Sequence, residues 1–259
     1  MQYTDDATLE WYLKVNNLSA EDLIEDGPSS ERASVLAAMA DYELARSDAF
    51  DVLAEASALV IVDMQVGFVR QTSPQWVPQA ERMVPTLART ATAARALGIP
   101  VVFTSAQFLD PSPTDALKMT KPIAEGNLAE DAEGLEIIPE LWEDGDVLIG
   151  TKHTYDAFWQ TDLDYRLRAL RRDTVIIAGT LTNFCCEATA RAAFDRGYHV
   201  VMGSDLCASD NPWAHNSALQ TVRRGIGRVL TSQEIIESWE SRQRRALHEP
   251  RVSRGEAAP

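Results

Sequence analysis

Cys185 has the surroundings best suited to chemistry in this chain, because it stands where a strand gives way to a helix. A continuous apolar run at 175–178 ends in Gly179, and a short turn containing Thr and Asn separates that glycine from Cys185. Backbone N–H groups at a helix start lack partners within the helix and carry partial positive charge, which favours a thiolate over a thiol. The position therefore predicts that Cys185 is a nucleophile.

Two further side chains follow apolar runs in the same way. Asp63 ends the run 58–63, and Lys152 comes directly after the run 146–151. In open parallel sheets ligands bind beyond the carboxyl ends of the strands, so we expect these side chains and Cys185 to meet at one cleft. Asp63 would take the thiol proton and later give it to a departing amine, while Lys152 would keep the thiolate charged. The set predicts nucleophilic acyl transfer.

The elements that must position these residues alternate between short apolar runs and amphipathic segments. The predicted strands are 58–63, 100–105, 146–151, 174–179, 199–203 and 228–230. The predicted helices are 80–97, 161–170, 185–196, 214–224 and 232–245. Continuous apolar strands alternating with helices are typical of a parallel sheet covered on both faces. The sequence therefore predicts an α/β fold, a three-layer α/β/α sandwich with a six-stranded parallel sheet.

The chain divides into three parts. Residues 1–56 predict an N-terminal helical extension, residues 57–246 the α/β domain, and residues 247–259 a disordered tail without apolar periodicity. Whether the extension packs on its own domain or on a neighbouring subunit stays open. The irregular stretch 108–145 is long for a connection, so we expect it to form the rim of the site or an oligomer contact.

Composition limits the classes of partner. The 259 residues carry a formal net charge of -15, which argues against nucleic acid and anionic membranes as partners. No apolar stretch has the length of a membrane span, and residues 1–6 are acidic, unlike a secretory signal, so a cytoplasmic protein is expected. The three cysteines, Cys185, Cys186 and Cys207, are expected to be reduced. His153 and His215 lack further ligands at a recognised spacing, so no metal and no cofactor is predicted.

The chain also resembles the isochorismatase-like cysteine hydrolases over residues 58–236. The motifs that carry the resemblance are 58–65, Lys152, 178–189, Gly197-Tyr198 and 210–216 with Leu219. The resemblance is to the branch that includes N-carbamoylsarcosine amidohydrolases and ureidoacrylate amidohydrolases. Several ordered motifs in one chain make a specific signal.

The resemblance implies roles for particular residues. It implies a catalytic triad of Asp63, Lys152 and Cys185, and a cis peptide bond between Thr180 and Leu181. The backbone N–H groups of Leu181 and Cys185 would then form the oxyanion hole. It also implies a homo-oligomer, either a dimer or a tetramer.

Two departures from relatives narrow the activity. Nicotinamidases of this superfamily carry an Asp/His metal cluster after the second strand, but residues 104–110 contain no histidine, which argues against a nicotinamidase. True isochorismatases resemble this chain in fold but lack the nucleophilic cysteine, so Cys185 favours C–N bond hydrolysis. Cys186 stands where relatives usually have a small aliphatic residue. Its role stays open.

The loop that follows Lys152 supplies candidate substrate contacts, because it leaves the same strand end. The candidates are Tyr155, Phe158 and Trp159, with Gln107 and Phe68 at the rim. The aromatic residues suggest a partly apolar or planar substrate group. They would equally serve to anchor the following helix to the sheet or to contact a neighbouring subunit.

The pattern as a whole predicts a cofactor-independent cysteine amidohydrolase that acts on a small linear amide, ureido or N-carbamoyl compound through an acyl-enzyme at Cys185. Two alternatives remain. One is an isochorismatase-type hydrolase of a vinyl ether, in which Asp63 acts as an acid without the thiol. The other, from a different class, is a non-catalytic binding or regulatory protein with the same fold.

Overall fold

The computed structural model describes residues 49–107 and 133–248. The predicted N-terminal extension therefore lies almost wholly outside the described residues. Most of the predicted tail and residues 108–132 of the irregular stretch lie outside them as well.

The described residues form one sheet of six parallel strands. The strands are β1 Ser57–Val62, β2 Val101–Ala106, β3 Val147–Lys152, β4 Thr174–Thr180, β5 His199–Ala208 and β6 Arg228–Leu230. Their order across the sheet is β3-β2-β1-β4-β5-β6. The order reverses at β1, which pairs with β2 on one side and β4 on the other, and ligands bind at such a reversal in open parallel sheets.

Helices cover both faces of the sheet. Their bounds are α1 Val66–Val69, α2 Pro78–Ala96, α3 Leu163–Ala169, α4 Glu187–Asp195, α5 Pro212–Gly225 and α6 Ser232–His248. Every residue of β1, β2 and β4 is buried, which explains why their sequences are mostly apolar. The three-layer α/β/α fold predicted from the sequence is confirmed.

Side chains of β1 alternate between two hydrophobic cores. Leu59 and Ile61 pack on one face with Trp239 of α6, while Val60 and Val62 pack on the other face with Leu167 of α3. This alternation follows from the two-residue period of a strand. Because both of its faces are packed, β1 has a fixed position in the sheet. That position also fixes the backbone of Asp63, the residue directly after it.

Three elements differ from the sequence prediction. Helix α1 was not predicted, because four residues are too few to show helical periodicity. Strand β5 continues to Ala208, five residues beyond its predicted end at Gly203, because a register shift lets Cys207 pair with Gly179. The predicted helix 185–196 is preceded by a π-helical turn, Thr182–Cys186, and α4 begins only at Glu187.

The described part of the chain contains no helix that is both long enough and apolar enough to span a lipid bilayer.

Candidate active site

Asp63, Lys152 and Cys185 come together at the carboxyl end of the sheet. Lys152 Nζ lies 2.6 Å from Asp63 Oδ2 and 3.4 Å from Cys185 Sγ. Asp63 and Lys152 are fully buried and Cys185 is 4% exposed. The three residues that follow separate strands thus form one buried contact, as the topology requires.

Asp63 is held by its backbone and by a neighbour on β2. It adopts a left-handed backbone conformation with φ 51° directly after β1, which turns its side chain out of the strand pattern. Thr104 Oγ1 donates a hydrogen bond to Asp63 Oδ1 at 2.6 Å, so Thr104 and Lys152 each occupy one carboxylate oxygen. Sequence reasoning missed Thr104, whose only signal is a polar residue within an apolar run.

Gly179 allows β4, which leads to Cys185, to lie close to β1, which leads to Asp63. It has φ 115°, and a Cβ placed there would lie 2.0 Å from the Val62 carbonyl oxygen. Only glycine fits that contact, because both the conformation and the space exclude a side chain. The segment that carries Cys185 therefore leaves β4 directly beside the end of β1.

The nucleophile turn, residues 180–186, connects β4 to α4. Its Thr180–Leu181 peptide bond is cis. The Cys186 N–H then donates to the Leu181 carbonyl at 3.1 Å in the π-helical turn. This geometry places the backbone of Leu181 and of Cys185 on successive parts of one tight turn.

Side-chain hydrogen bonds join the nucleophile turn to the end of β5, to Ser209 directly after it and to α5. Thr180 Oγ1 donates to the Ala208 carbonyl at 3.3 Å, and Ser209 Oγ donates to Asn183 Oδ1 at 2.7 Å. A third contact joins Thr182 Oγ1 to His215 Nδ1 at 2.8 Å. None of these contacts was predicted from the sequence, which gave His215 no metal-binding role.

The electrostatics of the triad correct one expectation. Burial raises the pKa of the Cys185 thiol, and Asp63 raises it further, although Lys152 lowers it. For Lys152, burial favours the neutral form, but the charge of Asp63 and the contact with Cys185 outweigh it and hold the pKa above its ordinary value. A thiolate beside an already neutral Asp63–Lys152 pair would leave a net negative charge in a buried site. The raised pKa favours a thiol over a thiolate in the free protein, whereas the position at a helix start predicted the opposite direction.

The candidate substrate residues fall into two groups. Tyr155 is half-buried, its ring lies 5.3 Å from that of Phe184, and burial raises its pKa. Phe184, which sequence reasoning missed, precedes the nucleophile and is 43% exposed. Phe68 is buried in a small apolar cluster against Leu181. These aromatic residues thus lie beside the nucleophile turn.

The remaining candidates make other contacts. Phe158 is 4% exposed, with its ring 5.7 Å from that of Tyr198 and 5.0 Å from the Arg196 guanidinium carbon, so it packs in the core. Phe158 also belongs to the core cluster that contains Leu163 and Leu167 of α3, which fits the alternative of anchoring the following helix to the sheet. Trp159 is half-buried, and its backbone N–H donates a hydrogen bond to the Asp156 carbonyl at 3.4 Å. Gln107 is half-buried, and its backbone carbonyl accepts a 2.9 Å hydrogen bond from His153 Nδ1.

Among residues 49–107 and 133–248, no group of three or more His, Cys, Asp or Glu side chains has a geometry that could hold a metal ion.

Comparison with known proteins gives consistent matches. The chain is 34% identical over 187 residues to YwoC of Bacillus subtilis, an uncharacterized isochorismatase family protein, covering 71% of this chain and 94% of YwoC. It is 27% identical over 223 residues to the ureidoacrylate amidohydrolase RutB of Acinetobacter baylyi, covering 78% of this chain and 91% of RutB.

A solved structure shares the fold over nearly its whole length. The crystal structure of a cysteine hydrolase from Pseudomonas syringae pv. phaseolicola has a TM-score of 0.70 at 31% identity, covering 74% of this chain and 96% of that chain. The isochorismatase domain family matches residues 57–234, which include the whole sheet. The chain therefore belongs to the isochorismatase family.

Proposed function

We propose that this protein is a cysteine-dependent hydrolase that cleaves a C–N bond of a small linear amide, ureido or N-carbamoyl compound. The observation that carries the proposal is the buried contact of Lys152 with both Asp63 and Cys185, at 2.6 Å and 3.4 Å. A thiol, a carboxylate and a buried ammonium in one contact are the groups that acyl transfer through sulfur needs.

The first half-reaction forms the acyl-enzyme. Asp63 takes the proton of the Cys185 thiol as sulfur attacks the carbonyl carbon, so the buried site keeps the same total charge throughout. The N–H groups of Leu181 and Cys185 stabilise the negative oxygen that develops, and each such donor contributes about 3 kcal/mol in enzymes where one has been removed. The C–N bond then breaks, and protonated Asp63 gives its proton to the departing amine.

The second half-reaction releases the acyl group. Asp63, again a carboxylate, takes a proton from water, and the resulting hydroxide attacks the thioester carbon. The C–S bond breaks, and the proton returns from Asp63 to sulfur. One water is consumed, and the products are the acid and the amine. A carbamate product would decompose further to ammonia or amine and carbon dioxide.

Lys152 serves both half-reactions as a fixed positive charge. Its pKa is held above the ordinary value by Asp63 and Cys185 despite its burial, so it stays charged whether the proton lies on Asp63 or on sulfur. Lys152 stabilises the thiolate when Asp63 becomes neutral, because the neutral carboxyl group attracts the ammonium group less strongly. Lys152 is thus an electrostatic residue and not the proton carrier.

The aromatic residues beside the nucleophile turn suit a planar substrate group. Phe184 is exposed and Tyr155 contacts it, which leaves an aromatic surface next to the thiol. Ureido and carbamoyl groups are planar, and stacking on such a surface would orient the carbonyl for attack. RutB, one of the relatives, is named a ureidoacrylate amidohydrolase, which supports testing ureides first.

The test is a hydrolysis panel of ureides, N-carbamoyl amino acids, simple amides and nicotinamide, with released ammonia and the mass of the protein measured together. We expect turnover of a ureido or carbamoyl compound and an acyl adduct on Cys185. The Cys185→Ala variant should be inactive, and Cys186→Ala, which alters the adjacent thiol, should stay active.

Three results would contradict the proposal. Hydrolysis of the panel amide by Cys185→Ala would show that the thiol is incidental. Turnover of isochorismate by that variant would favour a vinyl ether hydrolase that uses Asp63 as an acid. No turnover of any panel compound by a folded wild-type protein would favour a non-catalytic role.

A further inference from the structure

His215 makes a contact that reaches the nucleophile turn from a separate helix. It lies in the first turn of α5, half-buried, with its Nδ1 2.8 Å from Thr182 Oγ1. The start of α5 is fixed by Asn211, whose Oδ1 accepts hydrogen bonds from the Trp213 and Ala214 N–H groups at 2.9 Å and 3.2 Å. The imidazole is therefore carried by a capped helix end.

The direction of the hydrogen bond follows from the other partner of the ring. The backbone carbonyl of Ser204 accepts a hydrogen bond from His215, and burial lowers the pKa of the imidazole, so the ring is neutral near neutral pH. A neutral imidazole has one N–H donor and one acceptor nitrogen. With the N–H directed to Ser204, Nδ1 accepts, and the Thr182 hydroxyl is the donor.

Thr182 lies inside the nucleophile turn. It is buried and lies between Leu181 and Cys185, the residues whose N–H groups would hold the oxyanion. Donors of this kind act only when they already point to the place where charge develops, and small misplacements of reacting groups cost large factors in rate. A bond that fixes Thr182 therefore fixes the spacing of both donors and of the sulfur.

We propose that His215 is a positioning residue for the reaction, which by accepting the Thr182 hydroxyl hydrogen bond holds the Leu181 and Cys185 N–H groups and the Cys185 sulfur in the reactive arrangement. The inference rests on the proposed function. It extends that function to a residue on α5 that touches neither the substrate nor the triad.

The bond from His215 is one of three side-chain hydrogen bonds that join the nucleophile turn to β5, Ser209 and α5. Thr180 and Asn183 are held by the end of β5 and by Ser209, so the turn stays folded when one bond is removed. We therefore expect loss of the His215 bond to loosen the turn without unfolding the protein. Catalysis should suffer more than stability.

The experiment is a double-mutant cycle on the panel amide with the highest kcat/KM. His215→Phe removes the acceptor and keeps a ring, and Thr182→Val removes the donor and keeps the shape. Each should lower kcat by about 10- to 100-fold with KM nearly unchanged. The double variant should be no slower than the slower single variant, because both changes break one bond. Thr182→Ser, which keeps the hydroxyl, should retain most of the rate.

The matched control is His199→Phe. His199 begins β5 at the opposite end of the sheet, where it stacks on Phe50 at a centroid distance of 4.5 Å. The same chemical change there should leave kcat unchanged. Thermal unfolding of every variant separates a rate effect from loss of folded protein.

A second readout needs no substrate. Cys185 is 4% exposed, so a looser turn should let iodoacetamide alkylate it faster, by the same factor in His215→Phe and Thr182→Val. Adduct mass assigns the modified cysteine. If His215→Phe fails to fold, Thr182→Val and Thr182→Ser still give the comparison.

The outcomes separate the two proposals. Wild-type kcat and wild-type alkylation in His215→Phe or Thr182→Val would overturn the positioning role, as would additive rate losses in the double variant. If Cys185→Ala hydrolyses the amide, the proposed function fails. If Cys185→Ala is inactive while His215→Phe is normal, only the positioning role fails.

Discussion

Lys152 Nζ lies 2.6 Å from Asp63 Oδ2, and neither side chain is exposed to solvent. The two charges cancel, and Thr104 holds the carboxylate oxygen that Lys152 does not reach. Replacing both partners of such a buried ion pair lowers the stability of the protein less than replacing one of them, because a single uncompensated charge in the interior is costly. In the proposed mechanism, Asp63 of this pair is also the group that accepts the thiol proton. Stability and the proposed chemistry therefore depend on the same contact.

Replacement of Lys152 by Met should destabilise the protein and abolish hydrolysis. Asp63 would be left as an uncompensated buried charge, which costs about 3 to 5 kcal/mol of unfolding free energy. Urea unfolding measures the loss. The control is Arg166→Met, which breaks an ion pair with Asp162 whose side chains are 43% and 49% exposed, and should cost less than about 1 kcal/mol. Equal losses in both variants would contradict the argument.

Replacement of Thr104 by Val should slow the reaction without changing the fold. The change removes the hydroxyl that donates to Asp63 Oδ1 and keeps the shape of the side chain. The hydroxyl fixes the orientation of the carboxylate that is proposed to take the thiol proton, and misplacement of a reacting group by about 1 Å costs about 100-fold, so kcat/KM should fall by about 10- to 100-fold. Steady-state kinetics measure the effect. Thr104→Ser keeps the donor and should stay close to wild type, and an equally slow Ser variant would rule out this role.

The Cys185 thiol should be protonated in the free protein near neutral pH. Its pKa is raised above the ordinary value of 9.0 chiefly by burial, and a raised pKa means that the neutral form persists to higher pH. Thiolate absorbance in the ultraviolet, taken as wild type minus Cys185→Ala across a pH series, should therefore appear only in the alkaline range. A thiolate difference signal near neutral pH would contradict this assignment.

Replacement of Gly179 by Ala should cost about 3 kcal/mol or more of unfolding free energy. The added Cβ would meet the Val62 carbonyl oxygen at 2.0 Å, and φ 115° strains any side chain. Denaturant unfolding or the yield of folded protein measures the loss. Gly150→Ala on β3 is the control, because its nearest neighbour would be Leu148 at an ordinary 3.9 Å. A Gly179→Ala protein as stable as the control would show that the strands can separate there.

Replacement of Phe184 by Ala should raise KM more than it lowers kcat. Its ring is exposed beside the nucleophile and contacts Tyr155, so it is placed to bind a planar substrate group before reaction. Phe194→Ala is the matched control, since that ring is 48% exposed but lies on α4 away from the turn. Steady-state kinetics on the preferred amide measure both variants. An unchanged KM in Phe184→Ala would remove this residue from the substrate site.

The sequence located the sheet well because its strands are buried on both faces. Residues 58–62, for example, read as one uninterrupted apolar run, and all of them lie in β1. Burial forces that composition, so the strand can be recognised without knowing its neighbours. The parallel arrangement then puts Asp63, Lys152 and Cys185 at the same edge of the sheet.

Contacts between distant segments could not be predicted in this way. Thr104 and His215 lie 41 and 33 residues from the groups that they hold, and threonine or histidine alone indicates no particular partner. The end of β5 was misplaced for a similar reason, since residues 204–208 contain polar side chains and become strand only by pairing with β4.

What the sequence determined by itself was the order of strands and helices and the three side chains at the strand ends, because hydrophobic periodicity and strand direction are local properties. The tertiary structure alone decided which residues hold those side chains, that Phe158 packs in the core while Tyr155 lies beside Phe184, and that burial raises the pKa of the thiol. The protonation state depends on the burial and total charge of the assembled site. Those quantities exist only once residues that are far apart in the chain have been brought into contact.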